Sequence, residues 1–212
     1  MLLFSLPARG TPNQEFQKPP NSLAQTTAIF LFFCIPVKVQ LRENKMSGVI
    51  MDEKTANNYL LVTNGKELKM SPTASNGTNS AQRFDMKPCV LSRESYASDI
   101  SLTVDVNKVN MWRIGVVTGS AKRHGFTMMQ PRNFYWVIEW NGRELVALDD
   151  TQRVITGNFV QKLTMRLDFN KRELTFDADK NVNVFSFDKM YFSEPLYILF
   201  STTDENNPLR II

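Results

Sequence analysis

The chain has 212 residues, 42% of them hydrophobic, which is enough for one folded domain with a sizeable core. Its formal net charge of +4 is uneven, since residues 1–46 hold 5 Lys and Arg against 2 Asp and Glu, and residues 47–212 hold 20 against 19. This near-neutral body has no basic stripe, which argues against a nucleic-acid-binding protein.

The first 46 residues are predicted to be a flexible tail. Residues 1–27 are rich in Pro, Gln, Asn, Thr and Ser and show no hydrophobic period, which is typical of disorder. Residues 28–37, AIFLFFCIPV, are sharply apolar but too short to span a bilayer, which takes about twenty residues. A buried edge segment, weak contact with a membrane surface and an artefact of gene prediction all stay open for this run.

Short β-type runs separated by turn residues follow the tail. Residues 49–51 and 59–63 are the first two. Asn64-Gly65 then predicts a two-residue hairpin turn, because both residues tolerate positive φ, and residues 67–70 are the return strand.

The clearest strand pattern begins at residue 99. Ile100, Leu102, Val104 and Val106 alternate with polar residues, the period of a strand with one buried and one exposed face. A second apolar run, residues 111–117, contains a glycine that often marks close packing in a strand.

The second half of the chain continues in the same way. Residues 118–125 are a polar, basic loop, and residues 134–140, FYWVIEW, are strongly apolar. Asn141-Gly142 predicts another hairpin, and residues 149–157 are predicted to be a polar loop. Further strands are predicted near residues 144–148, 163–169, 174–176, 184–187, 196–200 and 209–212. About a dozen strands without a sustained helical period predict an all-β, two-sheet antiparallel sandwich.

Residues that could support catalysis or hold a metal are few. Cys34 and Cys89 have no disulfide or metal-site spacing, and two reduced cysteines suit a cytoplasmic protein. His124 lies in a basic loop without a cysteine or paired carboxylates nearby in sequence. The adjacent acids at 149–150 and 177–179 lack the spacing of a calcium loop. We therefore predict no enzyme activity, no metal and no cofactor.

From about residue 48 to 212, the chain resembles a PRY–SPRY domain, the module that closes many tripartite-motif ubiquitin ligases, butyrophilins and fish NOD-like receptors. The motifs occur in family order over about four-fifths of the chain. The PRY part is carried by MDEKTANNYLLVTNGKELKM (51–70) and RFDMKPCVL (83–91), and the SPRY part by WRIGV (112–116), SAKRHG (120–125), FYW (134–136), LDF (167–169) and FSEPLYILFS (192–201).

The resemblance implies a concanavalin-like jelly roll with a PRY subregion at 47–95 and a SPRY subregion at 96–212, folded as one unit. The copy is divergent: Leu102 stands where the family usually has a tryptophan, and LDFNKRE lacks the glycine of the family hairpin. No RING finger, B-box or coiled coil precedes the domain in this sequence, so ligase activity is not carried over.

In PRY–SPRY relatives a partner protein is held by variable loops from both subregions, as loops on a rigid frame commonly do. The matching positions here are Asn57, Asn58, Glu139, Trp140, Arg143, Thr203, Asp204 and Asn206. Trp140 is the strongest candidate for an anchor because it adjoins a turn. Its alternation with Trp136 and Ile138 instead favours a place in the core.

The predicted function is therefore non-catalytic recognition of a partner protein, in innate immunity or as the substrate-recognition part of a ubiquitin ligase, with no nucleic acid and no firm membrane contact. One alternative is a sandwich that binds a small phosphorylated ligand, for which Arg113, Lys122, Arg123 and Arg132 would have to converge. Another is a fragment of a larger tripartite-motif or NOD-like receptor protein. The identity of the partner and the oligomeric state are not indicated by any sequence pattern.

Overall fold

A computed structural model of the protein describes residues 48–76 and 80–212, so the predicted tail and its apolar run lie outside the described residues. These residues form thirteen β-strands and one short 3-10 turn, Pro131–Asn133. The strands are β1 (Leu60–Thr63), β2 (Glu67–Met70), β3 (Cys89–Leu91), β4 (Ile100–Asp105), β5 (Trp112–Thr118), β6 (Tyr135–Trp140), β7 (Leu145–Ala147), β8 (Arg153–Thr156), β9 (Lys162–Asp168), β10 (Glu173–Ala178), β11 (Asn181–Phe187), β12 (Leu196–Thr202) and β13 (Leu209–Ile211).

The strands build two antiparallel sheets that pack face to face. The seven-stranded sheet has the order β1-β2-β13-β4-β9-β10-β11, and the six-stranded sheet has the order β3-β12-β5-β6-β7-β8. Strands of the first half of the chain therefore enter both sheets, with β2 against β13 and β3 against β12. The predicted all-β sandwich is confirmed.

Alternating residues of the two inner faces fill the core. Leu102 and Val104 of β4 are buried, and the alternate residues Leu163 and Met165 of β9 lie beside them. Leu102, in the position where the family usually has a tryptophan, is 2% exposed, so the smaller residue keeps its place in the core.

Gly115 allows strands β5 and β6 to approach closely. A Cβ added there would lie 2.1 Å from the Trp136 carbonyl oxygen and 2.7 Å from the Val137 Cα, far inside van der Waals contact. Because both atoms belong to backbone, any larger residue would push the two strands apart.

The two predicted hairpins form, with longer loops than expected. Thr63 pairs with Glu67, which leaves three loop residues, and both Asn64 and Gly65 have positive φ. Trp140 pairs with Leu145, which leaves a loop of four residues. In that loop the Asn141 side chain accepts hydrogen bonds from two backbone N–H groups, at 3.0 Å each, and so closes a local turn.

The predicted polar loop at 149–157 is wrong in part, because Arg153–Thr156 forms β8. This strand pairs only with β7 and is the edge of the six-stranded sheet. Its burial does not alternate, and Val154 is 58% exposed, so no period of two marks it in the sequence.

A second apolar cluster covers the outer face of the six-stranded sheet. Val137 and Leu199 belong to it, whereas their neighbours along β6 and β12 point into the main core. Loop residues Phe84, Ala121 and Met129 pack over this face. The outer face is therefore a second, smaller core, roofed by the loops at 80–88 and 119–130.

Hydrogen bonds join these two roofing loops. Arg123 donates to the Gln82 carbonyl at 2.9 Å, His124 Nε2 lies 2.9 Å from the Ala81 carbonyl, and the Gly125 N–H donates to Asp85. The Gly125 N–H lowers the pKa of the Asp85 carboxyl, with help from Met86 N–H and the nearby His124, despite the opposing effect of burial. The loops at 80–88 and 119–130 thus hold each other in place.

Candidate functional site

A concave site of about 260 Å³ lies on the outer face of the six-stranded sheet. Strands β5 and β6 place Arg113 and Glu139 directly opposite each other, and Arg113 Nη2 lies 2.5 Å from Glu139 Oε1. We call this site the outer-face pocket and define it by Lys87, Arg113, Phe126, Met128, Gln130 and Glu139.

The rim of the outer-face pocket carries unusually exposed apolar side chains. Phe126 is 75% exposed and Met128 is 40% exposed. Lys87 Nζ lies 6.0 Å from the centre of the Phe126 ring, within the range of a weak cation–π contact. Burial lowers the pKa of the Lys87 ammonium. An exposed aromatic beside an arginine ion pair is the composition of an interaction hot spot.

Gln130 lines this pocket with a mostly buried side chain. The residue is 5% exposed, and its Nε2 donates to the Asp149 carbonyl at 3.1 Å. Its Oε1 is buried and accepts no hydrogen bond from any described residue. Because this oxygen has almost no accessible surface, Gln130 supports the pocket from within and is not a contact for a partner.

Trp140 lies in the core and not on a loop rim. It is 5% exposed, pairs across the strands with Trp112, and stacks edge-on against Phe159 at 5.7 Å between ring centres. The alternation with Trp136 and Ile138 therefore decides its position. As a buried residue, Trp140 has little surface left for contact with a partner.

Asp204 is also turned inward, where it organises one end of the sandwich. It is 7% exposed, and its carboxylate accepts backbone hydrogen bonds from Asn110, Asn206 and Asn207 at 2.8–2.9 Å. Burial opposes ionisation of Asp204, but these N–H groups together outweigh it, and its pKa lies below the ordinary value. Its structural contacts account for the residue fully.

Asn57 and Asn58 lie in a different loop, beside 80–85. Asn57 is buried, and its Nδ2 donates to the carbonyls of Phe84 and Asp85. Asn58 is half-buried and lines a cavity with Arg83 and His124. Arg83 donates to the Ala56 carbonyl, which supports its structural role.

Three of the eight predicted contact residues have exposed side chains: Arg143, Thr203 and Asn206. They share the end of the sandwich where the hairpin loop 141–144, the turn 107–111 and the loop 203–208 meet. Thr203 N–H donates to the Met111 carbonyl, and Gly142 approaches the Asn110 side chain. We call this region the hairpin end; Glu139 links it to the outer-face pocket.

The four cations considered for a phosphorylated ligand do not build one pocket. Arg113 is neutralised by Glu139, Arg123 donates to the Gln82 and Gly119 carbonyls, and Arg132 lines a separate groove. Lys122 contributes its backbone carbonyl, which accepts a 2.7 Å hydrogen bond from the Tyr135 hydroxyl.

The residues considered for catalysis or metal binding have structural contacts. Burial raises the pKa of the Cys89 thiol to about 11, which keeps it protonated and unreactive at neutral pH. Asp149 pairs with Arg153, and Asp177 pairs with Arg166. Among residues 48–76 and 80–212, no group of three potential ligands could hold a metal ion.

Sequence reasoning missed Phe126, Met128 and Gln130. All three follow the basic loop in the stretch 126–130, FTMMQ, which shows neither strand alternation nor turn chemistry. The available signal was a short apolar run between a glycine and a proline, outside every predicted strand.

Two family comparisons match the chain. The PRY model, described as the SPRY-associated domain, matches residues 49–96, and the SPRY domain model matches residues 101–212.

Several known proteins are similar over the same region. Mouse butyrophilin subfamily 2 member A2 is 26% identical over 78% of this chain and 33% of its own length. Mouse E3 ubiquitin-protein ligase TRIM38 is 31% identical over 77% of this chain and 36% of its own length. The chain thus spans about a third of the length of these curated relatives.

Solved structures share the fold. The TRIM65 PSpry domain aligns with a TM-score of 0.66 at 18% identity, over 77% of this chain and 88% of that one. Stonustoxin aligns with the same TM-score at 21% identity, over 77% of this chain and 28% of that one. None of the helices in the described part of the chain is long and apolar enough to cross a membrane.

Proposed function

Because the chain belongs to the PRY–SPRY family, we propose that it recognises a partner protein without catalysis, and that the partner binds at the outer-face pocket. The observation that carries this proposal is the 75% exposed Phe126 beside the Arg113–Glu139 ion pair. Binding of a partner over this site is favourable, because it removes water-exposed aromatic surface from water in a concave, partly charged site.

The exposed residues of the hairpin end extend this surface. Arg143, Thr203 and Asn206 add polar groups beside Glu139, as expected at the rim of an interface. In this arrangement Phe126 anchors the partner and the hairpin end provides specificity. The buried Trp140, Asn57 and Asp204 support the surface from below.

The setting proposed for this recognition is the cytoplasm, in innate immunity or as the substrate-recognition part of a ubiquitin ligase. The similarity to TRIM38, which is named as an E3 ubiquitin-protein ligase, supports the second of these settings. A transcript that joins this sequence to an upstream RING or coiled-coil exon would support a larger receptor or ligase. Long-read sequencing of the transcript tests this directly.

Affinity capture from cells with Phe126→Ser tests the binding surface. Val182→Ser is the matched control, since Val182 is also 75% exposed but lies on the edge strand β11. We expect proteins enriched by the unmodified chain to fall about tenfold with Phe126→Ser and to stay unchanged with Val182→Ser, as quantified by mass spectrometry. Equal capture by both variants would remove the outer-face pocket from consideration.

A further inference from the structure

A second concave surface lies at the other end of β6 from Trp140. It has a volume of about 560 Å³ and is formed by the 3-10 turn, the start of β6, the start of β8 and residues 186–191. None of its lining residues belongs to the outer-face pocket. We call it the aromatic–basic groove, defined by Arg132, Phe134, Arg153, Asp188, Lys189 and Tyr191.

Two exposed aromatic rings stand over an apolar floor in this groove. Tyr191 is 79% exposed and Phe134 is 40% exposed, while Trp136 and Met190, which also line the groove, are buried. Trp136 is itself fixed by an edge-on contact with Phe192 at 6.1 Å. The buried floor and the exposed rings together form a preformed site for an apolar side chain of a ligand.

Phe134 is held in a conformation that its own chemistry disfavours. Its φ of 65° lies in the left-handed region, which is unfavourable for a bulky side chain. Hydrogen bonds fix it there, from its N–H to the Pro131 carbonyl and from Thr118 N–H to its own carbonyl. The fold therefore imposes a strained backbone at a position whose ring is left partly in water.

The charge of the groove is positive. Three cations line it, and Asp188 is the one carboxylate among its lining residues. Arg153 is paired with Asp149 at 2.7 Å and stands 5.1 Å from the Phe185 ring centre. Arg132 and Lys189 are exposed and form no ion pair with any described residue, and Arg132 donates only a long hydrogen bond to the Met128 sulfur at 3.5 Å.

From these contacts we propose that the aromatic–basic groove binds an acidic segment of a partner protein. Carboxylates of the segment pair with Arg132 and Lys189, and an apolar side chain packs between Phe134 and Tyr191. A nucleic acid fits less well, because a polyanion requires a basic stripe and residues 47–212 carry 20 Lys and Arg against 19 Asp and Glu. The groove is then a second docking surface, whose lining residues differ from those of the outer-face pocket.

The test uses the full chain and a fluorescein-labelled decapeptide of Glu and Asp with one central Phe, measured by fluorescence anisotropy. We expect saturable binding that weakens with added salt, because exposed charges are screened. The double variant Arg132→Glu/Lys189→Glu should weaken binding by about tenfold or more, and Tyr191→Ala by about fivefold. The control Lys54→Glu/Lys180→Glu changes net charge equally at exposed positions outside the groove and should stay within about twofold.

Other outcomes would overturn the proposal. The proposal fails if no saturable binding is seen, or if the control variant weakens binding equally. It also fails if a peptide with Gln and Asn in place of the acids binds equally well. Tighter binding of a ten-residue oligouridylate that Arg132→Glu/Lys189→Glu abolishes would assign the groove to nucleic acid instead. If the double variant does not fold, the Tyr191→Ala effect and amide shifts around 186–191 in an NMR titration decide the question. Phe126→Ser should leave decapeptide binding intact, which separates this test from that of the proposed function.

Discussion

The two ends of strand β6 use similar residue types for opposite purposes. At the Trp140 end, the tryptophan is 5% exposed and the Asp204 carboxylate holds three backbone N–H groups. At the Phe134 end, the rings of Phe134 and Tyr191 remain exposed, and Arg132 has no ion pair with a described residue. At the Trp140 end the aromatic ring and the carboxylate are satisfied internally, and only polar side chains such as Arg143 are exposed, whereas the Phe134 end exposes its aromatic rings.

This difference shows why residue type alone identifies a binding surface poorly. Asp and Asn beside turns readily accept hydrogen bonds from nearby backbone N–H groups, so their polarity is used to fix the loop. An aromatic or cationic side chain without an internal partner has no such use. Exposed Phe and unpaired Arg are therefore stronger indications of a binding surface in this fold than polar loop residues are.

The largest expected effect is loss of the buried Trp140 ring at one end of β6. Trp140→Ala should lower the free energy of unfolding by about 4 kcal/mol, because it removes a large side chain from between Trp112 and Phe159 and leaves a cavity. Guanidinium unfolding of the chain measures this. A cost below about 1 kcal/mol would mean that Trp140 is not a core residue.

Asp204→Ala should have the next largest effect, about 2 kcal/mol. The substitution leaves the backbone N–H groups of Asn110, Asn206 and Asn207 without their charged acceptor, and these groups lie in a partly buried loop. The same unfolding experiment checks it, with Glu205→Ala as a control because Glu205 is exposed in the same loop. Equal costs for the two variants would contradict the central role of Asp204.

The pH dependence of stability tests the structural role of Asp204. The pKa of Asp204 lies below its ordinary value of 3.8 in the folded protein, so its ionised form stabilises the fold at neutral pH. This contribution is complete above about pH 4–5 and is lost as the pH falls through the lowered pKa. Asp204→Asn should therefore be less stable than the unmodified protein at pH 7, and the difference should close toward pH 2.

Asp177 gives the internal comparison for that experiment. Its pKa is lowered chiefly by the hydrogen bond from Arg166, so it contributes acid sensitivity of the same sign elsewhere in the fold. The Asn variant at 204 should keep this part of the pH dependence. An unchanged profile in Asp204→Asn would contradict the lowered pKa of Asp204.

The smallest expected effect is at the Phe134 end of β6. Tyr191→Ala should change the free energy of unfolding by about 0.5 kcal/mol or less, because the ring is 79% exposed. Thermal unfolding beside Trp140→Ala is the direct contrast between the two ends. A cost above about 2 kcal/mol would show that the Tyr191 ring supports the fold rather than remaining available for binding.

Strands could be predicted where hydrophobic and polar residues alternate in step with buried and exposed positions. Strands β4 and β9 alternate because each has one face in the core, and the hairpins after Thr63 and Trp140 carry an Asn-Gly pair. Strand β8 could not be found, since an edge strand with exposed Val154 leaves no alternation.

The candidate site was predicted only in part, for a related reason. Glu139 lies in the outer-face pocket, but Phe126 comes from a loop with no regular pattern. Whether a loop side chain packs under the roof or remains exposed depends on loop–loop contacts such as those between Gly125 and Asp85. These contacts join residues forty positions apart, which local patterns do not reveal.

The position of β13 has a consequence for how the protein is made. The strand Leu209–Ile211 lies between β2 and β4, inside the seven-stranded sheet. It follows β2 at a long distance in sequence, since Arg210 and its partner Glu67 are 143 positions apart. The β1–β2 hairpin can therefore join the rest of its sheet only after the chain has been synthesised through β13.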